Sequence, residues 1–250
     1  MALVSAAVCP HPMMLIPDIA GDADRKWRRL RDACLEAVRQ VNTPIFGGGQ
    51  AIAWNAPHLV VIVGGDDLTR SFDPACVYGS LWSNGICWNY GWGIDSEDPQ
   101  PLPLSLTLGD WLMTKSRIGE KGMIVANVAF QAVDFGASRQ VCAELGRDLA
   151  GRAERVSMIV MGEGSTGMTA AARARDAEDA KRSDDEVMRA LGEADAKALA
   201  NLEFQGTATG RAAWQVLAGA AGDQRFHGHL HANGSRRYRG YFAASWRSQS

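Results

Sequence analysis

The sequence predicts an α/β protein built on a mostly parallel central sheet, with a β-hairpin near its C-terminal end. Three observations lead there. Short apolar runs at Ala2–Cys9, Leu59–Val63 and Val156–Met161 are each the length of one buried strand. Each run is broken at once by proline or glycine, and a side chain able to do chemistry follows. Between the runs lie segments whose apolar residues recur at helical spacing, and Asn233-Gly234 near the end is a strong hairpin signal.

The stretch Ala2–Asp18 sets the pattern. Pro10 and Pro12 cannot continue a central ladder, and each biases the residue before it away from the α region. His11 is therefore expected between two stiff residues at the carboxyl end of an inner strand. Ligand-binding residues of open α/β sheets collect at that end. An imidazole fixed there suits metal binding or proton transfer, and shaping a turn by a hydrogen bond to a loop carbonyl is its plainer role.

Asp22–Val41 places Trp27, Leu30, Cys34, Leu35 and Val41 at helical spacing, with Asp22 and Asp24 suited to its start. Pro44 and Gly47-Gly48-Gly49 close it into a loop. Leu59–Val63 is the clearest buried strand, followed by Gly64-Gly65 and then Asp66 and Asp67 at its exit. The two acids either serve a site or cap the next element. His58 precedes that strand and is expected at the opposite edge of the sheet. Tyr78–Asp95 mixes four glycines with Trp82, Trp88, Tyr90 and Trp92. Such a loop packs over the core or against a second subunit, or walls a pocket for an aromatic ligand, with packing ranked first.

Asp98–Pro103 reads as a connector, Trp111–Ile118 as part of a short helix, Gly122–Ala129 as a strand and Ala137–Leu149 as a helix. Val156–Met161 repeats the earlier design, with Glu163 among the glycines of its exit; this is neither G-x-G-x-x-G nor a P-loop. Ala170–Asp185 reads as a charged connector, Asp184–Phe204 as a helix and Gly210–Ala221 as a buried helix. Arg225–His231 and Arg237–Trp246 read as the hairpin strands. His227, His229 and His231 share one face of the first, but the outer two lie about 13 Å apart, too far for all three to meet on one ion. A two-histidine partial site and a plain exposed edge strand remain as alternatives.

Composition narrows the classes. Of 250 residues, 46% are hydrophobic and 22% charged, with a formal net charge of -2, which gives no support to nucleic-acid or anionic-membrane binding. No apolar run approaches the length of a membrane span, and no basic stretch precedes the opening strand, so neither a membrane segment nor a secretory signal is expected. Five scattered cysteines without a C-x-x-C pattern fit reduced thiols in a cytoplasmic protein.

The opening strand with Pro10-His11-Pro12, the strand Leu59–Val63 with its polar exit, and the Gly210–Ala221 helix after a long charged helix together resemble the class III extradiol dioxygenases and the related MEMO proteins. The resemblance is one of order and local pattern, covers most of the chain and is strongest over residues 1–75. It implies a single three-layer α/β/α domain. For an active member it implies cleavage of catechol-type rings with O₂ at a non-haem ferrous ion, held by two histidines and a glutamate, with a further histidine as acid and base. His11 matches the first iron histidine, and Asp67 is the nearest residue to the second. Glu163 and Ser165 stand where the acid–base histidine is expected, and Thr209, Gly210 and Arg211 where the glutamate is expected. A facial triad of two histidines and one carboxylate cannot be written from these residues. The expectation is a site at three strand ends, with His11 and Asp67 holding Fe(II), Mn or Zn and Glu163 and Asp66 handling protons for a small aromatic substrate. The alternatives are a non-catalytic binding or scaffold protein on the same fold and, more weakly, a metal-dependent hydrolase.

Overall fold

The computed structural model describes residues 3–41, 46–47, 50–51, 57–91, 93–116, 127–165, 174–203, 209–232 and 240–249. In chain order they form β1 (Leu3–Cys9), α1 (Pro17–Ala20), α2 (Asp24–Val41), β2 (Phe46–Gly47), β3 (Gln50–Ala51), β4 (Leu59–Asp66), β5 (Arg70–Phe72), β6 (Val77–Ser80), β7 (Asn89–Tyr90) and β8 (Gln100–Leu102). There follow α3 (Leu104–Lys115), β9 (Asn127–Asp134), α4 (Arg139–Ala150), β10 (Val156–Met161), α5 (Ala174–Glu193), α6 (Ala196–Ala200), α7 (Arg211–Ala221), β11 (Phe226–Ala232) and β12 (Ala243–Ser248).

The central sheet has seven strands in the order β11-β12-β1-β10-β4-β9-β5. β1, β10, β4 and β9 run parallel, while β12 and β5 run antiparallel to their neighbours. Alternation along the strands builds two cores. Val60 and Ile62 of β4 face α2 and α3, whereas Val61 and Val63 face the layer holding α4, α5 and α7. The result is the expected three-layer α/β/α arrangement. All six residues of β10 are buried, as a parallel strand covered on both faces requires.

Several sequence expectations shift in detail. The charged segment 170–185 is no connector: α5 begins at Ala174 and runs to Glu193. The helix expected to reach Phe204 breaks at Ala194, whose φ is 53°, and Asp195 then caps α6 by accepting the Ala198 N–H. The break falls where β11 presses in, since a Cβ on Gly228 would lie 2.5 Å from the Gly192 carbonyl oxygen. The Tyr78–Asp95 loop contributes β6 and β7 to a small sheet of order β7-β6-β8, which also takes in the supposed connector at Gln100–Leu102. Described strand structure at β9 starts at Asn127, and residues 122–126 of the expected strand lie outside the described residues. The hairpin strands pair antiparallel, but the second starts at Ala243 rather than Arg237. Its Asn233-Gly234 turn lies outside the described residues, as do parts of the Pro44–Gly49 loop. Among the described residues no helix is long and apolar enough to cross a membrane.

Candidate functional site

β1 and β10 are neighbours, and their chains leave the sheet in opposite directions. β1 feeds α1 and α2 on one face, and β10 leads toward α5 on the other. Such a topological switch point, at the carboxyl ends of the strands, is where open α/β sheets gather ligand-binding residues. Cys9 and Met161 are paired in register, so His11 and Glu163 stand level, two residues beyond.

Backbone bonds fix both exits. The Gly162 N–H donates to the Cys9 carbonyl (2.9 Å), and the Gly210 N–H donates to the Glu163 carbonyl (2.8 Å). The Gly164 N–H donates to the Gly240 carbonyl (2.8 Å), and the Ser165 N–H to Asp184 Oδ1 (2.9 Å). Gly240 has a φ of +77°, and a Cβ there would meet the Gly164 carbonyl carbon at 2.8 Å, so this crossing needs glycine.

Into this frame His11 and Glu163 bring a side chain each, 7% and 9% exposed. The His11 N–H donates to Glu163 Oε1 at 3.0 Å, and the imidazole Nδ1 lies 3.9 Å from the same oxygen. That second distance is too long for a hydrogen bond. Nδ1 has no hydrogen-bonding partner within the described residues. An unpaired buried polar atom costs about 1–3 kcal/mol, so the position is built for a partner that is a ligand or water. Burial lowers the pKa of His11, partly offset by the negative charge of Glu163. The ring is therefore neutral near pH 7, and the contact is a neutral imidazole facing a carboxylate rather than an ion pair. Tyr241 stands close enough to feel the same carboxylate: burial, then Glu163, pushes its phenol up to about 12. Its ring packs on Trp27 of α2 with centroids 5.9 Å apart.

The two aspartates do not join this pair. β10 lies between β1 and β4, which puts the β4 exit about 10 Å from the β1 exit at ordinary strand spacing. Asp66 is the last residue of β4 and forms an ion pair with Arg70, Oδ2 to Nη2 3.1 Å. It lines a separate cleft of about 600 Å³ with Tyr78 and Trp82. Asp67 is exposed. The expected convergence of His11, Asp67 and Glu163 is thus corrected to a His11–Glu163 pair, because Asp67 falls beyond the strand, exposed and on the opposite side of the alternation, while Asp66 is held by Arg70.

The donor set therefore does not fit the iron site that the extradiol resemblance implies. Among the described residues no group of three or more His, Cys, Asp or Glu could hold a metal ion. Thr209 and Arg211 do not replace the glutamate: Arg211 donates to the Phe135 and Ala137 carbonyls, 2.7 and 2.9 Å.

His58 is exposed at the opposite edge, bonded through its backbone N–H to the Arg155 carbonyl at 2.8 Å. His227, His229 and His231 alternate on β11 as expected, at the sheet edge. His229 and His231 touch with ring centroids 4.5 Å apart, and His231 Nε2 lies 2.8 Å from Ser245 Oγ. The sequence reading missed Tyr241 and Trp27. Both come from elements distant in the chain, and no local pattern marks them.

Fold and site define an open α/β protein with a buried His11–Glu163 pair at a switch point of the sheet. No family model matches the chain, and no curated protein does. Among solved structures it is similar to the crystal structure of uncharacterized protein JW3007 from Escherichia coli K12. The two share 13% identity over 98% of this chain and 99% of that one, at a TM-score of 0.47.

Proposed function

We propose that this chain is an extradiol-dioxygenase-like protein that receives a small catechol-type aromatic at the β1–β10 crevice, where His11 and Glu163 handle a phenolic proton. The observation that carries the reading is the orphaned, buried Nδ1 of His11 facing Glu163 at 3.9 Å. A ligand hydroxyl entering there supplies the missing partner. A neutral imidazole accepts its proton, and the carboxylate beside it stabilises the imidazolium that forms. Trp27 and Tyr241 offer rings for an aromatic ligand to pack against. We place the protein in the cytoplasm, in keeping with five free cysteines.

A second reading, a non-catalytic binding or scaffold protein of the MEMO kind, is favoured by one observation. The crevice offers one imidazole and one carboxylate where a facial triad needs three ligands. Calorimetry with a panel of catechols on wild type, His11→Ala and Glu163→Gln tests the shared part. Binding by wild type, weakened about tenfold in either variant, is expected; no binding of any catechol by wild type removes the ligand. Oxygen uptake on adding Fe(II), Mn(II) or Zn(II) with a bound catechol then divides the two. Uptake with Fe(II) marks a ring-cleaving enzyme, and binding without uptake under any metal marks the second reading.

A further inference from the structure

The cleft that holds Asp66 is a site in its own right, with neither His11 nor Glu163 in its lining. Its volume of about 600 Å³ lies within the range of small-molecule pockets. Trp82 forms one wall with 63% of its surface exposed, a large apolar area left in water. The turn that carries it is held in place. The Asn84 and Ile86 N–H groups donate to the Leu81 carbonyl (2.9 and 3.1 Å), the Gly85 N–H to the Trp82 carbonyl (2.9 Å), and the Leu81 N–H to the Trp88 carbonyl (3.0 Å). The Trp82 N–H donates to Ser80 Oγ (3.3 Å), and Gly85 closes the turn with a φ of 78°. An aromatic face presented by a hydrogen-bonded turn loses little conformational freedom when a ligand stacks on it.

The rest of the lining sets the chemistry. Among the described residues its charged lining is Asp66 and Arg70, paired with each other at 3.1 Å, so their charges cancel. An anion drawn to Arg70 would meet Asp66 beside it. Tyr78, Ser80, Ser83 and Asn89 add hydroxyl and amide groups. A plain aromatic ligand would stack on Trp82 but leave most of these polar groups without partners, which loses affinity. A saturated ring with an apolar face and a rim of hydroxyls satisfies both kinds of surface. We infer that this cleft binds a neutral polyhydroxylated ring, of the pyranose or cyclitol class, stacked on Trp82 with neighbouring hydroxyls bonded to the Asp66–Arg70 pair.

Saturation-transfer NMR on the full chain tests it, with methyl α-D-glucopyranoside and myo-inositol as probes and benzoate and inorganic phosphate as counter-probes. The expected result is saturable binding of at least one neutral probe, weakened about tenfold by Trp82→Ala and by Asp66→Asn and partly retained by Trp82→Phe. His11→Ala leaves it unchanged, which separates this site from the crevice and its fate from that of the catechol reading. Circular dichroism confirms that Trp82→Ala is folded, as the exposure of the side chain leads one to expect. The inference is overturned if neither neutral probe saturates, if Trp82→Ala binds as well as wild type, or if benzoate or phosphate binds more tightly than both.

Discussion

Two carboxylates close the same edge of the sheet, and their surroundings give them different work. Glu163 follows β10 to a buried position, 9% exposed, and faces a neutral imidazole whose Nδ1 is unpaired among the described residues. Asp66 ends the next strand, meets water, and is already matched by the guanidinium of Arg70 at 3.1 Å. The strand-end rule places both acids at the ligand edge but does not say which is poised. Pairing decides that: a carboxylate with a cation in hand binds by hydrogen bonds, whereas one beside a desolvated base is placed to help move a proton.

Asp110 gives the limiting case and the largest expected effect. It lies in α3, buried, with Oδ1 unpartnered among the described residues, and burial raises its pKa to about 6. Between the ordinary value of 3.8 and about 6, the folded protein keeps a proton that the unfolded chain gives up, so stability falls as pH rises through that window. Asp110→Asn is expected to gain about 3 kcal/mol at pH 7.5 and nothing below pH 3.8 in urea unfolding. An equal gain at both pH values would show that burial of charge is not the cause, and would weaken the contrast drawn between the two acids.

Glu163→Gln sharpens the crevice side. The amide still accepts the His11 N–H, but a charge-assisted bond becomes a neutral one, at a cost of roughly 1 kcal/mol. Loss of the charge that offsets burial moves the His11 titration further down, read from the imidazole resonances. In wild type the folded ring refuses a proton that the unfolded chain accepts, so this group withdraws stability as pH falls below 6.5. An upward move in the variant would mean that Glu163 does not act on the ring. Arg70→Ala is the smallest change. The pair is half exposed on the arginine side and the guanidinium also lies 4.7 Å from the Phe72 ring centre, so about 1 kcal/mol or less is expected, shrinking with salt. A loss of several kcal/mol would make Asp66 a structural residue and the comparison void.

What the sequence disclosed follows the range of the interactions. β1, β4 and β10 are legible because strands covered on both faces read as unbroken apolar runs. α2 is legible because Trp27, Leu30, Cys34, Leu35 and Val41 recur at helical spacing between charges, and Leu30, Cys34 and Val41 are buried. The first half of α5 looked like a solvated tract because its alanines and charges carry no wide apolar stripe until Val187 and Leu191. The small sheet was hidden by its glycines and by strands of two to four residues. His11 and Glu163 were found together because proline and glycine stops mark strand exits. The strand order that separates β1 from β4 is a long-range fact with no local mark, whereas the Arg70 that holds Asp66 stands only four residues on and was open to a local reading.

The position of β10 has a consequence for how the chain comes together. It sits between β1 and β4, yet it follows both in the chain by a wide margin, and β12 closes the outer side of β1 later still. During synthesis β4 can pair with β9 as soon as Asp134 has left the ribosome, but β1 meets no neighbour until Met161 has followed, so one apolar ribbon must wait unzipped. Chaperone dependence, and sensitivity to any truncation that removes β12, are what this strand order asks of the cell.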